Sequence, residues 1–80
     1  MDVKQDKIKQ LIEFSIQDVV RLLISERKIS ILEGIRIVYQ SELFPKLLDS
    51  ETGLYLESPQ YLYDILKDEL KYGKLVQNEI

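Results

Sequence analysis

From Ile8 to Ile24 the apolar residues Ile8, Leu11, Ile12, Ile16, Val19, Val20, Leu22, Leu23 and Ile24 return at spacings of three and four, the period of a helix. The pattern predicts a first helix from about Val3 to Glu26. At 100° per residue this set covers more than half of the circumference, so the helix is expected to pack on two sides and to be the central element. Gln10, Gln17, Asp18, Arg21 and Ser25 form its remaining polar sector.

Lys28-Ile29-Ser30 interrupts the pattern, and Ser30 followed by Glu33 is a capping box that opens a second helix from about Ile31 to Gln40. Ile31, Leu32, Ile35, Val38 and Tyr39 are its expected buried face. Gly34 within it costs about 1 kcal/mol relative to alanine, which points to a close backbone approach to the first helix. Ser41 to Asp49 reads as a short third helix with Leu43, Phe44, Leu47 and Leu48 inward and Pro45 in its first turn. Asp49-Ser50-Glu51-Thr52-Gly53 has turn composition, with Gly53 the expected residue at positive φ. Leu54-Tyr55-Leu56 reads as a short extended link. Ser58-Pro59 is an N-cap followed by proline at the first helical position, and opens a last helix through about Tyr72 that Gly73 closes. Its expected apolar face is Tyr61, Leu62, Ile65, Leu66, Leu70 and Tyr72.

The reading is therefore all-α: a small compact bundle of about four helices with a long central N-terminal helix. No repeat, low-complexity tract or linker divides the chain, so residues 1–80 read as a single helical domain, with 74–80 expected to be loosely ordered. A domain of this size buries a small share of its surface and has little stability in reserve.

Composition narrows the function. The chain has no cysteine, which removes disulfides and thiolate metal sites and makes the cytoplasm the expected compartment. The polar stretch Met1 to Lys7 lacks the apolar segment of a secretory signal, and no apolar run approaches the roughly 20 residues of a membrane span. A net charge of −3, with cations scattered along the chain, gives no basic stripe for nucleic acid. Lys4, Lys7 and Lys9 are the only dense group, diluted by Asp2, Asp6 and Glu13.

Histidine is also absent, so the commonest general base and transition-metal ligand are missing along with the best nucleophile. The chain is not expected to be an enzyme, and no cofactor, metal or small-molecule substrate is inferred. Glu69 stands out among the carboxylates because its helical phase sets it with Leu62, Ile65 and Leu66. It reaches solvent at the helix end, meets a structural partner such as Arg36 or Arg21, or, in the enzymatic alternative, faces a cleft with a perturbed pKa. Asp49 to Thr52 cluster oxygen atoms without EF-hand spacing, and read as a solvated turn. The second and third helices could be mistaken for a helix-turn-helix, but the third carries only Lys46 as a basic residue.

Two features suggest a partner surface. Phe14 projects by phase into the polar sector of the first helix, and Ile37 does the same on the second. Five tyrosines add large apolar bodies with polar tips, which are enriched at interfaces. Phe14, Tyr55, Tyr61 and Tyr63 are the expected contacts, with Asp18, Asp64 and Asp68 supplying charge. The bland alternative makes most of the tyrosines core or boundary residues of a tryptophan-free protein.

The runs Ser15-Ile16-Gln17-Asp18-Val19-Val20 and Ile29-Ser30-Ile31-Leu32-Glu33-Gly34, and above all Glu51-Thr52-Gly53-Leu54-Tyr55-Leu56-Glu57-Ser58-Pro59-Gln60-Tyr61-Leu62-Tyr63, resemble a family of short bacterial proteins of unknown function. The similarity covers about residues 15–73. The resemblance implies no catalytic motif. It implies genes placed beside those of proteins resembling ADP-ribosyltransferase toxins, hence an antitoxin-like role by association. The leading expectation is a helical protein–protein interaction module, pairing with itself or serving as the regulatory or antitoxin-like partner of a larger enzyme. The alternative is a DNA-associated transcriptional regulator acting as a dimer or within a complex.

Overall fold

A computed structural model describes residues 3–73, with side chains from Asp6 onward. The expected loosening of 74–80 lies outside the described residues. Helix α1 spans Val3–Arg27, α2 Ile31–Gln40, α3 Leu43–Leu48 and α4 Pro59–Tyr72, and no strand occurs among the described residues. Two 3₁₀ turns, Ser50–Thr52 and Leu54–Leu56, join α3 to α4. The second of these replaces the extended link expected there: Gly53 sits between the turns at φ 69°, and the amides of Leu56 and Glu57 donate back to Gly53 and Leu54.

The helix ends are set by local chemistry. Lys28 closes α1 at φ 57°, its amide donating to the Ile24 carbonyl at 2.8 Å. The Ser30 hydroxyl accepts from the Glu33 amide and opens α2. Ser41, at the expected start of the third helix and its candidate cap, also closes α2 and so bridges the two helices. Its hydroxyl donates to the Val38 carbonyl at 2.6 Å and accepts from the Phe44 amide at 3.2 Å. Ser58 accepts from the Tyr61 amide ahead of Pro59, and Gly73 ends α4 at φ 82°.

Helix α1 is the hub, in contact with α2, α3, α4 and the second 3₁₀ turn. Its residues Ile12, Ile16, Val19, Val20 and Leu23 enter a core completed by Val38, Leu43, Leu47, Leu62, Tyr63, Ile65 and Leu66. Helix α2 lies antiparallel to α1. Gly34 seats on Ile24 and Val20, and Tyr39 reaches Glu13, Ile16 and Gln17 one helix-length earlier. A Cβ at Gly34 would stand 2.7 Å from Ile24 Cγ1, so the close approach expected from the sequence is present.

Each of the four helices departs from its expected face, α2 the most. In α2 the inward residues are Gly34, Val38 and Ile37, while Ile31, Leu32, Ile35 and Tyr39 are exposed. Glycine presents the least bulk, so the side that carries it comes nearest to α1 and takes the rest of the helix round with it. Helix α4 turns toward Tyr63, which is buried, and leaves Tyr61 and Tyr72 exposed. Leu11 and Leu48 are likewise outside the core.

Candidate interaction surface

The turn of α2 leaves apolar side chains along the whole outer side of that helix. Ile31, Ile35 and Tyr39 stand at i, i+4 and i+8, which places them in one row, with Leu32 beside it. Their exposures are 65%, 37%, 54% and 80% respectively. At the unfolded-chain average of about 1.45 Å² per dalton, those fractions amount to roughly 430 Å² of exposed surface, backbone included. A patch of about 300–600 Å² is the largest that an ordinary monomer shows, and is often functional.

The C-terminal end of this row is pre-ordered. The Tyr39 ring stacks on Phe44 of α3 with centroids 4.4 Å apart and an interplanar angle of 22°. Beside it lies a groove of about 180 Å³ lined by Tyr39 and by Glu13, Ile16 and Gln17 of α1. An aromatic ring already held by a neighbour loses little freedom on docking, the property of an interface anchor. The charges nearby are internally satisfied: Arg36 pairs with Glu33 at 2.9 Å on α2, and Arg21 with Asp18 at 3.0 Å on α1. Exposed pairs of this kind contribute little to stability, and they leave Glu13 as the acidic group beside the row.

No family model matches the chain, and no curated protein or solved structure is detectably similar to it.

The contacts expected from the sequence fall in several places. Phe14 is exposed on α1, and Asp18 beside it is half-buried in its pair with Arg21. Tyr55 is half-buried in the second 3₁₀ turn, where its carbonyl accepts from the Ser15 hydroxyl at 3.1 Å. Tyr61, Asp64 and Asp68 are exposed on α4, and Asp64 is engaged by Gln60 at 3.0 Å and Lys67 at 3.7 Å.

Tyr63 is a correction. At 1% exposure it is a core residue and offers no surface to a partner, because α4 turns that side of the helix onto α1. Its hydroxyl is buried without a well-formed hydrogen bond, and the side chains of Glu26 and Arg27 lie near it. Burial pushes the phenol above its ordinary value of 10.0. The Glu26 carboxylate adds to the rise and Arg27 opposes it. Lys67 stands 5.2 Å from the centre of the same ring and 3.9 Å from the Glu26 carboxylate, which closes the seam between α1 and α4.

Glu69 is buried, as its phase implied, and its partner is neither Arg21 nor Arg36. The carboxylate accepts from the backbone amides of Glu42 at 2.7 Å and Leu43 at 3.3 Å, so α4 supplies the N-terminal cap of α3. A carboxylate at the positive end of a helix is well placed, and here it acts as a structural tether. The open hollow of about 390 Å³ formed by Glu42, Pro45, Lys46, Asp49 and Thr52 is held by its own hydrogen bonds. Asp49 accepts from the Glu51 amide, and the Thr52 hydroxyl donates to the carbonyls of Lys46 and Asp49. Among the described residues no three His, Cys, Asp or Glu side chains gather as a metal site, and no helix is long and apolar enough to cross a membrane.

Proposed function

We propose that this protein is a small helical protein–protein interaction module that docks through the outer side of α2. The observation that carries this reading is the row Ile31, Ile35 and Tyr39 with Leu32, exposed along the full length of a helix whose other side builds the core. Leaving this much apolar side chain in water forgoes stabilisation of about 25 cal/mol per Å², which a chain of 80 residues can ill spare. Covering the row with another protein recovers it.

The finer reading, an antitoxin-like or regulatory partner of a larger enzyme, rests on the family resemblance. In that reading the α2 row supplies the anchor. The cysteine-free composition accords with a cytoplasmic setting. The DNA-associated alternative draws no added weight from this surface, where Arg21 and Arg36 are held by Asp18 and Glu33.

Site-specific photo-crosslinking tests the module reading. A photoreactive side chain placed at Leu32 in the full chain inside a living cell should give a discrete adduct, and the same group at Asp68 should give none. Equal labelling at both positions, or no adduct at Leu32, would overturn the proposal.

A further inference from the structure

The geometry points to a second copy of this chain as the occupant of the α2 row, in a two-fold symmetric dimer with the two α2 helices antiparallel across the axis. This inference rests on the interaction-module reading and names its partner.

The row is complementary to itself. Ile31 and Tyr39 stand four residues before and after Ile35, so a two-fold axis at Ile35 brings Tyr39 of each copy opposite Ile31 of the other. A large ring then meets a small branched side chain twice, which is how facing positions interdigitate. Ile35 at the centre is the least exposed of the four, as suits the point where the two backbones come closest.

Area and charge agree with this occupant. A standard interface covers about 800 Å² on each partner, a little over half of it apolar. The exposed row, roughly 430 Å² with its backbone and the Tyr39 hydroxyl included, supplies much of that apolar share, leaving a polar rim for Glu13, Gln17 and Arg36. Two copies each of charge −3 can meet here because Asp18 and Glu33 are matched within the chain by Arg21 and Arg36, which leaves one carboxylate, Glu13, at the rim on each side. A strongly basic foreign partner would find little at this site to steer it, since steering needs an unbalanced potential.

The test is solution mass by light scattering over a dilution series, together with a single introduced thiol. The chain of 9.4 kDa should run at twice that mass at high concentration and dissociate on dilution. Ile35→Glu should run as a monomer while keeping its helical spectrum and cooperative unfolding. Because the protein has no cysteine of its own, Ile35→Cys should form a reducible covalent dimer under a mild added oxidant. Asp64→Cys on α4 should not. A wild-type chain that stays at 9.4 kDa at the highest concentration, or an Ile35→Glu variant that keeps the doubled mass, overturns the dimer. The mass of the Leu32 adduct separates the two readings: twice the chain mass supports the second copy. Any other discrete mass overturns the second copy and leaves the module standing, and no adduct overturns both.

Discussion

Replacing Gly34 by alanine sets two effects of known sign against each other. In an exposed helix interior the change would stabilise by about 1 kcal/mol through propensity alone. Here the added Cβ would stand 2.7 Å from Ile24 Cγ1 and 3.2 Å from its Cδ1, while Val20 Cγ1 at 3.6 Å is an ordinary contact. Carbon atoms settle at about 3.5–4.0 Å, and Cγ1 belongs to a β-branched side chain whose χ1 is nearly fixed within a helix. Relief therefore requires α1 and α2 to move apart or Ile24 to leave its rotamer, and overpacking of this kind costs about 1–3 kcal/mol. The balance is a net loss of about 1 kcal/mol, or roughly 4–8 °C in Tm for a domain of this size. Urea unfolding followed by far-UV circular dichroism should show a lower midpoint with an unchanged slope. The decisive comparison uses Ile24→Ala as background. That variant loses packing of its own, but it removes Cγ1, and Gly34→Ala should then stabilise by about 1 kcal/mol, a reversal of sign that only direct contact produces. If Gly34→Ala stabilises the wild-type chain, or has the same effect in both backgrounds, the close approach of the two helices is refuted.

Other variants probe the remaining joints. Glu69→Ala strips the cap from α3 and leaves the amides of Glu42 and Leu43 without the carboxylate, at a cost of about 2–3 kcal/mol. Glu69→Gln should lose less, and hydrogen exchange should quicken at those two amides ahead of the rest of α3. Lys28 holds φ 57°, a conformation that costs a side-chain-bearing residue about 1–2 kcal/mol. Lys28→Gly should therefore raise stability by about 0.5–1 kcal/mol after the added entropy of the unfolded chain is counted, and a lower Tm would contradict the assignment of a left-handed cap. Tyr63→Phe removes a buried hydroxyl that lacks a well-formed hydrogen bond and should stabilise by about 1 kcal/mol at neutral pH. Because burial raises this phenol, the folded chain favours its neutral form; that contribution is present below pH 10.0 and is lost as pH rises through the higher folded value. Tyr63→Phe should accordingly flatten the alkaline decline of stability, and an unchanged decline would show that Tyr63 is not the group responsible.

The signals that were legible in the chain are those whose partner lies within a few residues. Ser30, Ser58 with Pro59, Gly53 and Gly73 each act through the next turn of backbone, so their spacing states their geometry. The rotation of a helix about its own axis is a different matter. In α2, Ile31, Leu32, Ile35, Ile37, Val38 and Tyr39 cover too wide an arc for two neighbours to bury, and periodicity alone does not say which part is left over. The choice is made by Gly34, which draws its own side of the helix onto Ile24 and leaves the bulkier residues outside. A glycine set between two halves of a wide apolar arc is thus a sign both of the close approach and of the outward row. Glu69 shows the opposite limit. Its placement among leucines was visible, but the amides it caps lie 26 and 27 residues away, and every residue but proline carries such a donor. No residue type marks that partner, so only the folded chain can name it. The same reasoning explains Tyr63: its position at the edge of an apolar face left core and surface equally open until α4 met Glu26 and Arg27 of α1. The exposed row on α2 is consequently a product of how the helices seat, and a change at Gly34 should be felt at Leu32 and Tyr39, on the far side of the same helix.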